Sequence, residues 1–267
     1  MEITATGEVH GGIGLAALRA ATVPTTLVTT ASDHVSLRTP SRVDHDAGNA
    51  LHLLRPPDDL GAWLDRCDSS VGALPGYRGA SVSWEVRGAA PDVDVPDGVD
   101  LHPAVVVELD LAPVGDVAGL DVVEVATPEQ LAGARVLYLH TDWTGDEPYW
   151  RWLVDQQWEL VQAGRGRLFV AYRHGIPAGR VGVFDDRGGL AIVSDLVVHP
   201  LHRGQGLAAH LLARAVTAAA GRAIAVVGEP ALVAPVLRRG QPRGTVLTAR
   251  RSGASTAGAS GWTVRMR

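Results

Sequence analysis

The 267-residue sequence has a single cysteine, Cys67, and no lysine, so all 24 of its basic residues are arginines. One cysteine excludes an internal disulfide bond and is typical of a reducing compartment, so we expect a cytoplasmic protein. No run of about 18 apolar residues occurs, which predicts that no segment spans a membrane. The N-terminal stretch lacks the basic region of a secretory signal peptide, and none is expected.

The net charge of −5 conceals an uneven distribution. Residues 1–130 carry 20 acids and 7 arginines, whereas residues 201–267 carry 10 arginines and one acid, Glu229. Two explanations stay open: the basic segment binds a phosphate-bearing ligand, or it packs against the acidic N-terminal segment. Duplex nucleic acid is disfavoured as a partner, because the arginines are not interleaved with aromatic residues and the overall charge is negative.

The pattern of strands and helices predicts two domains, 1–118 and 119–267, joined at a connector rich in glycine and proline near residues 111–120. The sequence pattern of the first domain predicts a strand, a helix and two strands, in that order, and therefore a smaller α/β domain. The second reads strand, two helices, three antiparallel strands, helix and a buried strand. Its first helix is predicted to begin with a capping box formed by Thr127 and Gln130.

A strand meets a helix in the segment "VVHPLHRGQGLAAHLL" (Val197–Leu212). We call residues Arg203–Ala208 the glycine-rich loop. The first N–H groups of a helix have no intrahelical partner, and together with the helix dipole they form an anion site. Gly204 and Gly206 would let a phosphate approach the backbone. The loop therefore predicts binding of a dinucleotide or of coenzyme A (CoA).

The dinucleotide hypothesis has partial support. "GQGLAA" (Gly204–Ala209) satisfies G-x-G-x-x-A, and the acid Glu229 follows about 20 residues later, where a ribose-binding carboxylate belongs. However, "HPLHR" separates the strand from the first glycine, the preceding strands are predicted to be antiparallel, and too few residues follow Glu229 to complete a doubly wound domain. These features favour CoA.

Together with the preceding hydrophobic strand and Pro200, the loop resembles the R/Q-x-x-G-x-G/A motif of the GCN5-related N-acetyltransferases, the GNAT superfamily. The element order of residues 119–267 is similar to that fold, which implies a mixed, mostly antiparallel α/β sheet flanked by helices. The resemblance implies that loop amides bind the CoA pyrophosphate and that the preceding strand pairs with the pantetheine. The implied CoA-binding residues are Leu196, Val197, Val198, Arg203, Gly204, Gln205, Gly206, Leu207 and Ala208.

The resemblance also implies an activity. The protein would be an N-acetyltransferase that moves an acetyl group from acetyl-CoA to a primary amine, on a small cation or a peptide N-terminus, by direct attack. Many members use a tyrosine to protonate the leaving thiolate, but here the matching position falls on or next to Val236, and no tyrosine follows Tyr172. The alternative is a degenerate GNAT protein that binds acyl-CoA as a sensor or scaffold. The first half resembles part of a GNAT domain, but its corresponding stretch, "RPPDDLGAW", has one glycine and lacks the G-x-G pair.

Asp195 is the candidate general base, since it is a carboxylate in an otherwise apolar strand immediately before the predicted CoA-binding residues. The alternative is that Asp195 faces away from the site or pairs with an arginine. The candidates for contact with a cationic amine are Asp142, Trp143, Glu147 and Tyr149, through charge pairing and cation–π contact. Glu147 also suits the N-terminus of a helix.

No metal is expected, because His199 and His202 lack a third ligand. The late strands "TVLTARR" and "GWTVRMR" are short, glycine-flanked and arginine-rich, which predicts a weak sheet edge that packs against the acidic N-terminal segment. The oligomeric state stays open between monomer and homodimer.

Overall fold

The computed structural model describes residues 12–71, 77, 79–87, 93–109, 119–139, 147–185, 189–228, 230 and 240–251. Most of the predicted connector and all of "GWTVRMR" lie outside these residues. Within them the chain forms an α/β fold with one large, mostly antiparallel sheet and helices on both faces, as predicted. No helix of the described part is both long and apolar enough to cross a membrane.

The described part of the first half contains three helical segments and five strands. In chain order they are α1 (Gly12–Ala21), β1 (Leu27–Thr30), β2 (His34–Arg38), a 3₁₀ helix (Asp46–Gly48), β3 (Ala50–Leu53), α2 (Leu60–Val71), β4 (Ser81–Val86) and β5 (Val99–Leu109). The sequence pattern predicts β3, α2, β4 and β5, whereas α1, β1 and β2 are additional elements that the structure reveals.

The second half follows the predicted order of elements. They are β6 (Leu120–Glu124), α3 (Pro128–Leu139), α4 (Glu147–Gln162), β7 (Gly166–Arg173), β8 (Ile176–Asp185), β9 (Leu190–Val198), a 3₁₀ helix (Pro200–His202), α5 (Leu207–Ala218), β10 (Ala223–Gly228) and β11 (Gly240–Arg251). The capping box at α3 is confirmed, because Gln130 Oε1 accepts the N–H of Thr127 at 3.1 Å and the Gln130 N–H donates to Thr127 Oγ1 at 3.4 Å.

Both halves contribute to a single sheet. Its strand order is β1-β2-β3-β4-β11-β5-β10-β9-β8-β7-β6. Two neighbouring pairs, β3 with β4 and β9 with β10, are parallel, and a helix crosses over between the strands of each pair. The remaining neighbours are antiparallel.

Strand β11 lies in the interior of the sheet, so the prediction that "TVLTARR" forms a sheet edge is wrong. It pairs antiparallel with β4 on one side and with β5 on the other. The arginines of β11 do not require a solvent-exposed edge strand, because acidic side chains of the first half pair with them. The ion pairs are Arg243 with Glu108 at 2.5 Å, Arg250 with Asp46 at 2.9 Å, and Arg251 with Asp68 at 3.2 Å and with Asp65. The predicted packing of the basic segment against the acidic one is confirmed.

Alternate residues along each strand point to opposite faces of the sheet, and the two faces pack against different helices. On one face, Val181, Val183 and Leu196 pack with α5. On the opposite face, Leu168 and Val170 pack with α3 and α4. Helix α1 of the first half covers this second face farther along the sheet, where its alanines contact residues of β8, β9, β10 and β11. The first half therefore covers part of the sheet of the second half.

A chain of residues 119–267 would lose both neighbours of β11 and the β5 neighbour of β10. We expect it to be insoluble, or to unfold about 10 °C or more below the full chain, because unpaired strand edges and apolar side chains become exposed. Thermal unfolding followed by circular dichroism measures this difference. Addition of a separate 1–118 chain should recover stability, and equal midpoints for 119–267 and the full chain would show that the halves are merely tethered.

Candidate functional site

The glycine-rich loop has a backbone that only glycine adopts readily at two positions. Gly204 has φ +73° and Gly206 has φ +79°, in the left-handed region. A Cβ at either position would meet no atom within 4 Å, so packing within the protein does not demand these glycines. Their conformation keeps an open backbone surface directly before α5. This is the surface that a phosphate needs.

Side chains anchor the loop to neighbouring strands. Arg203 Nε donates to the carbonyl of Val198 at 3.2 Å, and Gln205 accepts a hydrogen bond from Arg173 at the end of β7. Gln205 Nε2 also donates to the Leu201 carbonyl at 3.1 Å. Arg173 therefore brings a positive charge to the N-terminus of α5, where an anion is favoured. Sequence reasoning missed Arg173, because strand periodicity does not show which strand end approaches the loop.

Strands β9 and β10 separate next to this loop. Their parallel pairing runs from Leu190 and Ala223 to Val193 and Val226. Directly after Ser194, the register of β9 with β8 shifts, and Asp195 has φ +51°. This bulge lies where pairing with β10 stops. The main chain of residues 196–198 therefore runs beside an opening between two strands.

Asp195 forms a buried ion pair. Its Oδ2 lies 3.2 Å from Arg180 Nη2, and the two side chains are 2% and 0% exposed. Gln157 of α4 donates to the same carboxylate, and Arg180 donates to Gln157 Oε1 at 2.9 Å. The structure thus confirms the alternative in which Asp195 pairs with an arginine. Its role as a general base stays a prediction. Removal of either charge would cost about 3–5 kcal/mol, because the remaining buried charge would lose this ion pair.

A small cavity lies beside Asp195, between the two halves. Its volume of about 20 Å³ suits roughly one water molecule. The lining residues are Ala20, Val23, His45, Ala47, Leu153, Gln157, Leu160, Phe184, Ser194 and Asp195. Burial, helped by the nearby Arg42 guanidinium, lowers the pKa of His45 to about 4, so its imidazole is neutral at pH 7. Sequence reasoning missed His45, because only the tertiary structure brings it to β9.

Two of the four residues predicted to contact an amine lie among the described residues, Glu147 and Tyr149. Tyr149 is 4% exposed, its hydroxyl lies 3.0 Å from His45 Nδ1, and the Arg42 guanidinium carbon lies 5.5 Å from its ring centroid. Arg42 thus makes a cation–π contact with the Tyr149 ring within the protein. Glu147 begins α4 and pairs with Arg151 at 2.7 Å, which supports its helix N-terminal alternative. Asp142 and Trp143 lie outside the described residues.

The corresponding junction of the first half has neither feature of this site. Asp59 Oδ1 accepts the N–H of Ala62 at 2.9 Å, so a carboxylate occupies the start of α2 and would repel a phosphate. Strands β3 and β4 are paired along Leu51–Leu53 and Val82–Trp84. Among the described residues, no group of three or more possible metal-ligating side chains occurs in either half.

Comparison with known proteins agrees with this geometry. Residues 137–231 match the model of the Acetyltransferase (GNAT) family. A GCN5-related N-acetyltransferase from Kribbella flavida has a similar structure, with a TM-score of 0.62 and 18% identity over 93% of this chain and 97% of that one. A functionally unknown conserved protein from Staphylococcus epidermidis ATCC 12228 gives a TM-score of 0.64 and 13% identity over 86% and 96%.

A tandem GNAT protein from the clavulanic acid biosynthesis pathway gives a TM-score of 0.51 and 14% identity over 88% of this chain and 86% of that one. No curated protein matches the sequence. Residues 137–231 therefore match a GNAT domain, and the fold of the chain as a whole is similar to that of a tandem GNAT protein.

Substitution of Gly206 tests the loop against a matched control. Gly206 and Gly221 both have φ +79° and open space at the Cβ position, but Gly221 follows α5 at its other end. Gly206→Glu should abolish CoA binding, because it places a side chain and a negative charge at the expected pyrophosphate position. Gly221→Glu should leave CoA binding unchanged while imposing similar backbone strain. Calorimetric titration with CoA measures both, and full affinity in a folded Gly206→Glu variant would contradict the assignment.

Two buried histidines predict acid sensitivity. Burial also lowers the pKa of His52 to about 4, with a smaller contribution from Arg19. Between about pH 6.5 and pH 5 the unfolded chain protonates these histidines while the folded protein does not, so stability falls as the pH falls. The slope should be about 1.4 kcal/mol per pH unit for each histidine. Urea unfolding at several pH values measures it.

His45→Gln should remove about one histidine's share of that slope. Replacement of the exposed His102 by Gln is the control and should leave the slope as it is. A slope that is unchanged in His45→Gln would contradict the neutral state of His45 in the folded protein.

Proposed function

We propose that the protein is an acyl-CoA-dependent N-acetyltransferase that transfers an acetyl group from acetyl-CoA to a primary amine, on a small cation or a peptide N-terminus. The observation that best supports this proposal is the separation of β9 from β10 at the Asp195 bulge, directly beside an open glycine-rich loop. A long ligand with an anionic end fits such an arrangement, because the opening and the anion site are continuous. The single cysteine favours a cytoplasmic location for this activity.

The proposal gives each part of acetyl-CoA a place. The main chain of Arg203–Ala208 and the start of α5 would bind the pyrophosphate, with Arg173 adding positive charge. The main chain of Leu196–Val198 would pair with the pantetheine. An N–H group near Val197 would face the thioester carbonyl and stabilise the oxyanion that develops there. Acetyl-CoA is a co-substrate in this scheme, and no metal is invoked.

The reaction requires a neutral amine and a protonated leaving group. The amine nitrogen attacks the thioester carbon, the C–S bond breaks, the amine loses a proton, and the CoA thiolate gains one. Asp195 is the candidate general base carried over from the sequence. With no tyrosine after Tyr172, water would protonate the thiolate. Because general acid catalysis typically contributes about 10²–10⁴-fold, its absence would slow turnover without abolishing it.

A second candidate function is an acyl-CoA-binding sensor or scaffold without turnover. The engagement of the Asp195 carboxylate by Arg180 and Gln157 favours it, since the candidate base already has two partners. Both candidates require CoA binding, so they differ only in catalysis.

The test combines calorimetry with a thiol-release assay. CoA should bind with a dissociation constant on the order of micromolar, and acetyl-CoA should release thiol with at least one member of a panel of small amines and peptides. Binding without release on any amine would support the sensor. Absence of CoA binding would contradict both candidates. NAD(H) is the control ligand, and we expect it not to bind.

A further inference from the structure

Asp195 has an unusual backbone for its surroundings. Three non-glycine residues among those described have positive φ: His174, Asp195 and Ala220. His174 and Ala220 are exposed turn residues, whereas Asp195 is buried within a strand. A left-handed backbone conformation is unfavourable for a residue with a side chain, and it persists where the surrounding structure imposes it. Something must hold Asp195 in this state.

The contacts that hold it come from two other elements. Arg180 of β8 lies beside the register shift and pairs with the carboxylate, while Gln157 of α4 hydrogen-bonds to both charged side chains. Each member of this trio thus contacts the other two. In the register of β8 with β9, Arg180 is opposite Val197, two residues past the strained position. The contacts therefore span the bulge.

We infer that Arg180, Asp195 and Gln157 form a positioning cluster that fixes the bulge of β9, and thereby the direction of the main chain at Leu196–Val198. The inference rests on the proposed function, because that main chain is where the thioester would lie. It changes the role of Asp195 from a general base to a positioning residue. The charge pair holds the backbone, and the backbone makes the contacts with the substrate.

The surroundings of the carboxylate also argue against a base. Its side chain is 2% exposed. The adjacent cavity suits about one water molecule, so an amine substrate has little room to reach the carboxylate. His45 is the other titratable group on this cavity. A side chain that is buried, doubly bonded and next to a water-sized space is suited to holding structure in place.

Kinetics of substituted proteins separate the two roles. Asn tolerates the left-handed conformation as Asp does, so Asp195→Asn removes the charge and keeps the backbone preference. Asp195→Asn and Arg180→Met should each lower kcat about tenfold to a hundredfold, as expected of misplaced reacting groups. The double variant should be no slower than the slower single variant, because the residues act as a unit. In the profile of kcat against pH, the decrease towards acidic pH (the acid limb) should persist in Asp195→Asn.

A base would behave differently. Loss of the acid limb in Asp195→Asn, combined with full turnover in Arg180→Met, would overturn the positioning role. Val82→Ala is the control: Val82 is fully buried in β4 of the first half, where it pairs with Leu51 of β3 and Ala249 of β11, so this variant loses stability without touching the charged cluster. Its kcat should stay within about twofold of the unsubstituted protein, since an unrelated loss of packing leaves the bulge in place.

A second measurement does not depend on activity. Amide hydrogen exchange at residues 194–198 should be about tenfold or more faster in Arg180→Met than in Val82→Ala at equal global stability, because the bulge loses its support. Equal exchange rates would overturn the inference. If the unsubstituted protein neither binds CoA nor releases thiol, the proposed function fails, and the exchange rates still decide whether the cluster holds the bulge.

Discussion

The insertion of β11 between β4 and β5 is the constraint on which the rest of the structure depends. A strand in the middle of a sheet needs hydrogen-bonding partners along both edges, and β11 finds both in the first half of the chain. β5 in turn joins β11 to β10, the strand at the opening of the candidate site. The ion pair of Arg250 with Asp46, in which both side chains are largely buried, links residues about two hundred positions apart. The halves thus form one structure.

Within this continuous sheet the two halves contribute differently to the candidate site. The second half keeps an open glycine-rich loop and a pair of strands that separate. In the first half, Asp59 caps the corresponding helix and the corresponding strands stay paired. The first half contributes to the site in another way. Helix α1 covers the sheet near the bulge. His45, directly before the 3₁₀ helix at Asp46–Gly48, lines the cavity. The first half thereby forms a wall of the candidate site in the second half.

Two different devices shape the candidate site. At the loop, glycines adopt left-handed conformations freely and leave the backbone open. At the bulge, a buried aspartate adopts a similar conformation because charged and amide side chains hold it there. The first device gives access to an anion, and the second gives a fixed direction to main-chain groups. Acyl transfer from a thioester needs both, since its rate depends on the orientation of the reacting groups.

Local signals in the sequence determined most of the secondary-structure elements and the glycine-rich loop that forms the candidate anion site. Three signals act over only a few residues and can be recognised without knowledge of the fold. They are the capping box at Thr127, the residue pattern of strands β7, β8 and β9, and the glycines before α5. Only the tertiary structure decided the position of β11, the partner of Asp195 and the approach of His45. Strand pairing and the burial of a charge depend on residues far apart in the chain. "TVLTARR" reads as an edge until β4 and β5 are seen on both sides of it, because a strand's own sequence does not identify its neighbours.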